Sequence, residues 1–171
     1  MPEKGTLTFV LGGARSGKSR HAEDLVAAHA APWTYIATGQ AFDTEMEERI
    51  ALHRARRDER WRTVDAPLDL ADILEAMPEG APVLVDCLTL WISNTMLAGR
   101  DMPAECGRLA DVLSRPSGRW VAVANEVGLG IVPDNALARR FRDEAGRLNQ
   151  QVAAVADEVV FMVAGLPMRV K

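Results

Sequence analysis

The chain has 171 residues, of which 48% are hydrophobic and 26% charged, enough for one globular domain over residues 1–171 burying roughly 70% of its unfolded surface. Twenty basic residues against 24 acidic ones leave a net charge of −4, a poor balance for holding nucleic acid. No apolar run approaches the ~20 residues of a membrane span, the opening Met-Pro-Glu-Lys-Gly does not read as a signal peptide, and Cys87 and Cys106 have no zinc spacing, so a cytoplasmic protein without structural disulfides is expected.

Strand and helix signals alternate along the chain. A strand at 6–11 leads to a helix at 18–29, a strand at 33–38 to a helix at 44–57, and a further helix covers 68–76. A strand at 82–86 is followed by helices at 89–97 and 104–113. A strand at 120–125, a helix at 136–156 and a strand at 158–163 complete the series. The strands are apolar runs rich in Val, Ile, Leu and aromatic residues, as strands buried on both faces require. The pattern predicts an α/β fold with a mainly parallel central sheet flanked by helices. The long helix has the strongest signal: Leu137, Phe141, Ala145, Leu148, Val152 and Val155 form one apolar stripe, and Pro133, Asp134 and Asn135 mark its start. Residues 98–103 and 115–118 read as surface loops, and no domain boundary, repeat or low-complexity stretch is evident.

The decisive motif is Gly12-Gly13-Ala14-Arg15-Ser16-Gly17-Lys18-Ser19. It reads G-x-x-x-x-G-K-S between a predicted strand and a predicted helix, the context that separates a phosphate-binding P-loop from a glycine-rich turn. In such a loop the backbone amides and the helix N-terminus surround nucleotide phosphates, Lys18 is expected to reach the β- and γ-phosphates, and the Ser19 hydroxyl to ligate Mg²⁺. Asp86 closes the apolar run Val83-Leu84-Val85, where the metal-holding carboxylate belongs in P-loop enzymes; the alternative role is starting a loop or capping the next helix. The fold expectation is therefore P-loop NTPase-like. Only three lysines are present, Lys4, Lys18 and Lys171, against seventeen arginines. None lies in an Asn-Lys-x-Asp guanine-reading motif, so a Ras-like switch is excluded, and Lys18 is the sole lysine available inside the fold.

His53 shares a predicted helix face with Met46, Ile50 and Arg57. A histidine packed at the helix–core boundary is one reading. The nearby Arg54, Arg56, Arg57, Arg60 and Arg62 supply the other, enough cationic charge to hold a polyphosphate while an imidazole attacks it. Such a run can equally be a solvated helix face. His21 and His29 read as structural or exposed. Glu126 either serves the substrate hydroxyl or the metal, or caps the turn that follows it.

GGARSGKSRHAE at 12–23, YIAT at 35–38, DTEMEERIALHR at 43–54, WRT at 61–63, NEVGLGIVPDN at 125–135 and LARRFRDEAGRLN at 137–149 occur in this order. Together they resemble the bifunctional adenosylcobinamide kinase/adenosylcobinamide-phosphate guanylyltransferase family of cobalamin biosynthesis, over nearly the whole chain. The resemblance implies phosphorylation of the aminopropanol hydroxyl of adenosylcobinamide by GTP or ATP. Transfer of GMP from GTP onto that phosphate then follows, through a covalent GMP-histidine. The family's R-I-x-x-H-R pattern falls on Arg49, Ile50, His53 and Arg54, implying His53 as nucleophile. By the same matching, nucleotide contacts are implied for the P-loop residues, Ala37, Thr38, Gly39, Arg54, Ala55, Arg56, Arg57, Asp65 and Asp86, with Ser19 and Asp86 toward the metal. Asp65 stands where the family commonly carries Glu. A homo-oligomer, a trimer in the family, is implied as well. A monofunctional P-loop kinase for a small metabolite and a nucleotide-binding regulatory module are the alternatives to this reading.

Overall fold

A computed structural model describes residues 4–171; Met1–Glu3, the first part of the stretch read against a signal peptide, lie outside them. The chain runs β1 (Thr6–Gly12), α1 (Lys18–Ala27), β2 (Trp33–Ala37), α2 (Thr44–Ala55), β3 (Trp61–Asp65), α3 (Leu70–Glu75), β4 (Val83–Asp86), α4 (Leu88–Leu97), α5 (Met102–Leu113), β5 (Arg119–Asn125), α6 (Ala136–Val155), β6 (Glu158–Val163) and β7 (Leu166–Arg169). The strands form one sheet in the order β3-β2-β4-β5-β1-β6-β7. All neighbours are parallel except the β6–β7 hairpin.

Alternate residues of each central strand feed different sides of the sheet. On β5, Trp120, Ala122 and Ala124 enter a core shared with α3, α4, α5 and α6, whereas Val121 and Val123 face Ala22 and Val26 of α1. Burial on both sides explains why these strands read as continuous apolar runs. The register aligns Ala37 with Asp65 and Asp86, and Gly12 with Asn125. One sheet edge thus collects the carboxyl ends of five strands, the edge where α/β sheets place ligands.

Two strands have no counterpart among the predicted elements. β3 is an edge strand with no fully buried residue, and β7 is exposed throughout, so neither carries the apolar run that marks the inner strands. β7 is formed by the two-residue turn Ala164-Gly165, both at positive φ, which pairs Val163 with Leu166, the hairpin geometry suited to twisted strands. The two expected surface loops hold except at their last residues. Met102 and Pro103 belong to α5, whose cap Asp101 accepts from the Ala104 amide at 3.1 Å, and Gly118 is buried where a Cβ would meet the carbonyl of Ala81. The apolar stripe of α6 holds at Ala145, Leu148 and Val152, but Leu137 is exposed. Asn135 caps that helix, accepting from the Ala138 amide at 2.8 Å.

Candidate active site

The P-loop connects β1 to α1. Gly17 adopts φ +90 and stands at the N-cap without a capping side chain, so the first amides of α1 remain available to an anion. At Gly12 a Cβ would run into Ser16 Oγ and Met162. The Ser16 hydroxyl is buried with no hydrogen-bond partner. Lys18 is buried and folds back on the loop, its Nζ donating to the Gly13 carbonyl at 2.9 Å. Burial lowers its pKa, opposed by its neighbours Cys87 and Asp86. Behind the loop, the Gly165 amide of the β6–β7 turn donates to the Ser16 carbonyl at 2.9 Å. Its Cα would lie 3.2 Å from a Cβ at Gly17. The β7 hairpin therefore buttresses the P-loop, a role with no signal in the sequence motifs.

A cavity of about 610 Å³ opens over this loop. Ala14 through Ser19 form its floor, with Ala37, Gly39, Asp86 and Asn125 at the strand ends. Met46, Arg49, Ile50, His53, Arg54, Arg56 and Arg57 form its roof, with Asp65 beside them. The loop motif, Asp86, His53 and the arginines that follow it, expected from separate stretches of sequence, thus line one cleft. Four expected contact residues do not line it: Gly12, Gly13, Thr38 and Ala55. Thr38 is fully buried. Its hydroxyl donates to the Cys87 carbonyl at 2.6 Å and accepts from the Cys87 amide at 2.8 Å, tying β2 to β4. Ala55 is the exposed last residue of α2.

The arginines divide by partner. Arg54 pairs with Asp65 at 3.3 Å. Arg60 pairs with Asp58 at 2.6 Å and lies 4.7 Å from the Trp33 ring, and neither Arg60 nor Arg62 reaches the cleft. Arg57 lies just past α2 rather than on its face, with its guanidinium 3.6 Å from the centroid of the Tyr35 ring and its Nε and Nη1 buried without partners. His53 is half-buried, and its Nδ1 also lacks a partner. The Tyr35 hydroxyl donates to Asp86 Oδ2 at 2.8 Å. Glu23 of α1 feels both groups: burial raises its carboxyl above the usual range, with Arg57 acting the other way and Asp86 adding to the rise. Glu126 accepts from the Gly128 amide at 2.6 Å, a turn contact that leaves its other oxygen without a role in the fold of the described residues. Tyr35, Arg20 and Leu90 line the cleft without having been singled out from sequence.

Residues 8–170 match the CobU family, described as cobinamide kinase / cobinamide phosphate guanyltransferase. The chain belongs to this family. It is 50% identical over 166 residues to the bifunctional adenosylcobalamin biosynthesis protein CobP of Pseudomonas aeruginosa, covering 95% of this chain and 96% of the relative. It is 41% identical to the corresponding CobU protein of Escherichia coli, covering 96% and 99%. Among solved structures, a Pyrococcus horikoshii protein aligns at TM-score 0.55 and 11% identity over 98% of this chain and 87% of that one. A type III secretion ATPase aligns at 0.56 and 14% identity over 92% of this chain, which spans about half of that structure. These two likenesses concern the fold, which is that of P-loop NTPases. No helix among the described residues is long and apolar enough to cross a membrane. The cleft joins the P-loop to the helix that carries His53 and its arginines.

Proposed function

We propose that this chain catalyses both family reactions as one unit over residues 1–171. It phosphorylates the hydroxyl of adenosylcobinamide with GTP or ATP, then transfers GMP from GTP to that phosphate. The observation that carries this reading is that His53 and the α2 arginines line the same cleft as Lys18 and the P-loop. In the first step the substrate hydroxyl attacks the γ-phosphorus and the nucleoside diphosphate leaves. Lys18 and the loop amides take up the charge of the transferring group. In the second step neutral His53 attacks the α-phosphorus of GTP, a P–N bond forms, and the bond to pyrophosphate breaks. The phosphate of adenosylcobinamide-phosphate then attacks the same phosphorus and releases the histidine. Protonated imidazole has no lone pair for this attack. Arg54, Arg56 and Arg57 serve the phosphates.

The oxygen donors Ser19 and Asp86 suit Mg²⁺, which commonly takes its remaining ligands from phosphate and water. Tyr35 engages only one oxygen of Asp86. When bound, the ion neutralises phosphate charge. The helix that carries His53 has no fully buried residue, and a homo-oligomer, a trimer in this reading, would give it a neighbouring subunit. Incubation with GTP labelled at the α- or γ-phosphate, with and without adenosylcobinamide, tests the two steps together. The α-label is expected to stay on the denatured wild-type protein and to be absent from His53→Ala, while both proteins pass the γ-label to adenosylcobinamide. Covalent α-label on His53→Ala overturns the assignment.

A further inference from the structure

We propose that Tyr35 is a positioning residue for both steps: its hydroxyl aims Asp86, and its ring holds the Arg57 guanidinium over the cleft. The inference rests on the function proposed above and deepens it. Three observations carry it. Tyr35 is buried at 5% exposure on β2, a strand that neighbours β4, whose end bears Asp86. Its hydroxyl donates to Asp86 Oδ2 at 2.8 Å, which fixes the rotation of the carboxylate and directs its other oxygen. Its ring is braced edge-on by Trp61 at 6.2 Å and carries Arg57 at 3.6 Å.

The choice of a ring rather than a carboxylate for Arg57 has a chemical consequence. Arg54 and Arg60 have carboxylate partners in Asp65 and Asp58. An aromatic face holds a guanidinium through its π-cloud and leaves the N–H fork, which lies in the guanidinium plane, unspent. The buried, unpartnered Nε and Nη1 of Arg57 fit that description, and a phosphate oxygen entering the cleft is the partner they suit. A single tyrosine thus fixes the metal-side carboxylate from one end and a phosphate-side cation from the other.

Tyr35 is the sole tyrosine of the chain, so protein labelled with ¹³C-tyrosine reports on it alone. Without nucleotide, Asp86→Asn is expected to shift the Cζ resonance and Arg57→Gln the ring Cε resonances. Either signal staying in place removes the corresponding half of the proposal. In activity, Tyr35→Phe keeps the ring and loses the hydroxyl. Its half-saturating Mg²⁺ should rise about 10- to 100-fold in both steps, the usual effect of losing an outer-shell partner, with rates recovered at saturating Mg²⁺. An unchanged Mg²⁺ requirement, or a loss of rate that excess Mg²⁺ does not restore, overturns it. Failure of wild-type GMP labelling would instead count against the proposed function, because the resonance shifts are measured without nucleotide.

Discussion

Lys18 sits where folding and phosphate binding make opposite demands. Its ammonium is buried, burial lowers its pKa, and its nearest hydrogen bond goes to the backbone of its own loop at Gly13. A group whose charged form the fold disfavours costs stability at neutral pH, where the unfolded chain holds the same proton freely. A bound polyphosphate reverses that cost by supplying the missing counter-charge. Lys18→Met, which keeps the length of the side chain and discards the charge, should therefore melt at or above the wild-type temperature. It should lose about 10²-fold or more in both phosphoryl and guanylyl transfer, the range for removing one group that stabilises transition-state charge. Calorimetry beside the two activity assays checks this. A variant that is active, or inactive only because it is unfolded, contradicts the role given to Lys18.

The element that separates the two steps is α2. Its ends are well formed: Asp43 accepts from the Met46 amide at 2.8 Å, Glu45 and Glu47 lie in the first turn, and Arg54 lies in the last, each matched to the helix dipole. Its attachment is weak, because only Met46, Ile50 and His53 are even half-buried. A helix held by so little apolar contact opens at low free energy. Its amides should exchange with deuterium much faster than those of α6, which buries Ala145, Leu148 and Val152, and GTP should slow that exchange. Protection of α2 equal to that of α6 without nucleotide would contradict this account. Much of the site was legible in the chain because glycine, lysine and carboxylate spacings carry their own mechanism, as at Gly12–Ser19 and Asp86. Tyr35 was not, since a tyrosine in a strand reads as packing and its partner Asp86 is 51 positions away. The edge strands β3 and β7 were hidden for a related reason: they are made by register against a neighbour, not by apolar runs of their own.

Across the whole molecule, the two thiols measure how tightly the sheet is covered. Cys87 caps α4, its Sγ accepting from the Leu90 amide at 3.5 Å, and burial pushes its pKa up to about 12. Cys106 packs in the core shared by α5 and α6, and burial pushes it up to about 11. Neither forms a disulfide. A thiol-specific reagent near pH 8 should find neither in the native protein and both after unfolding, since the thiolate is the reactive form. The sign of the pH dependence follows from the same shifts. The unfolded thiols release their protons around the ordinary value of 9.0, whereas the native ones hold theirs to about 11 and 12. Above pH 9 the native state therefore binds more protons than the unfolded state, and stability falls as pH rises. Denaturant midpoints measured at pH 7.5 and pH 10 should show that fall in the wild type. In the double variant Cys87→Ser, Cys106→Ala it should be smaller, because serine can still cap α4 and neither new side chain ionises. An equal fall in both proteins would assign the pH dependence to other groups, and rapid native labelling would mean that the core beneath the cleft opens more readily than its packing indicates.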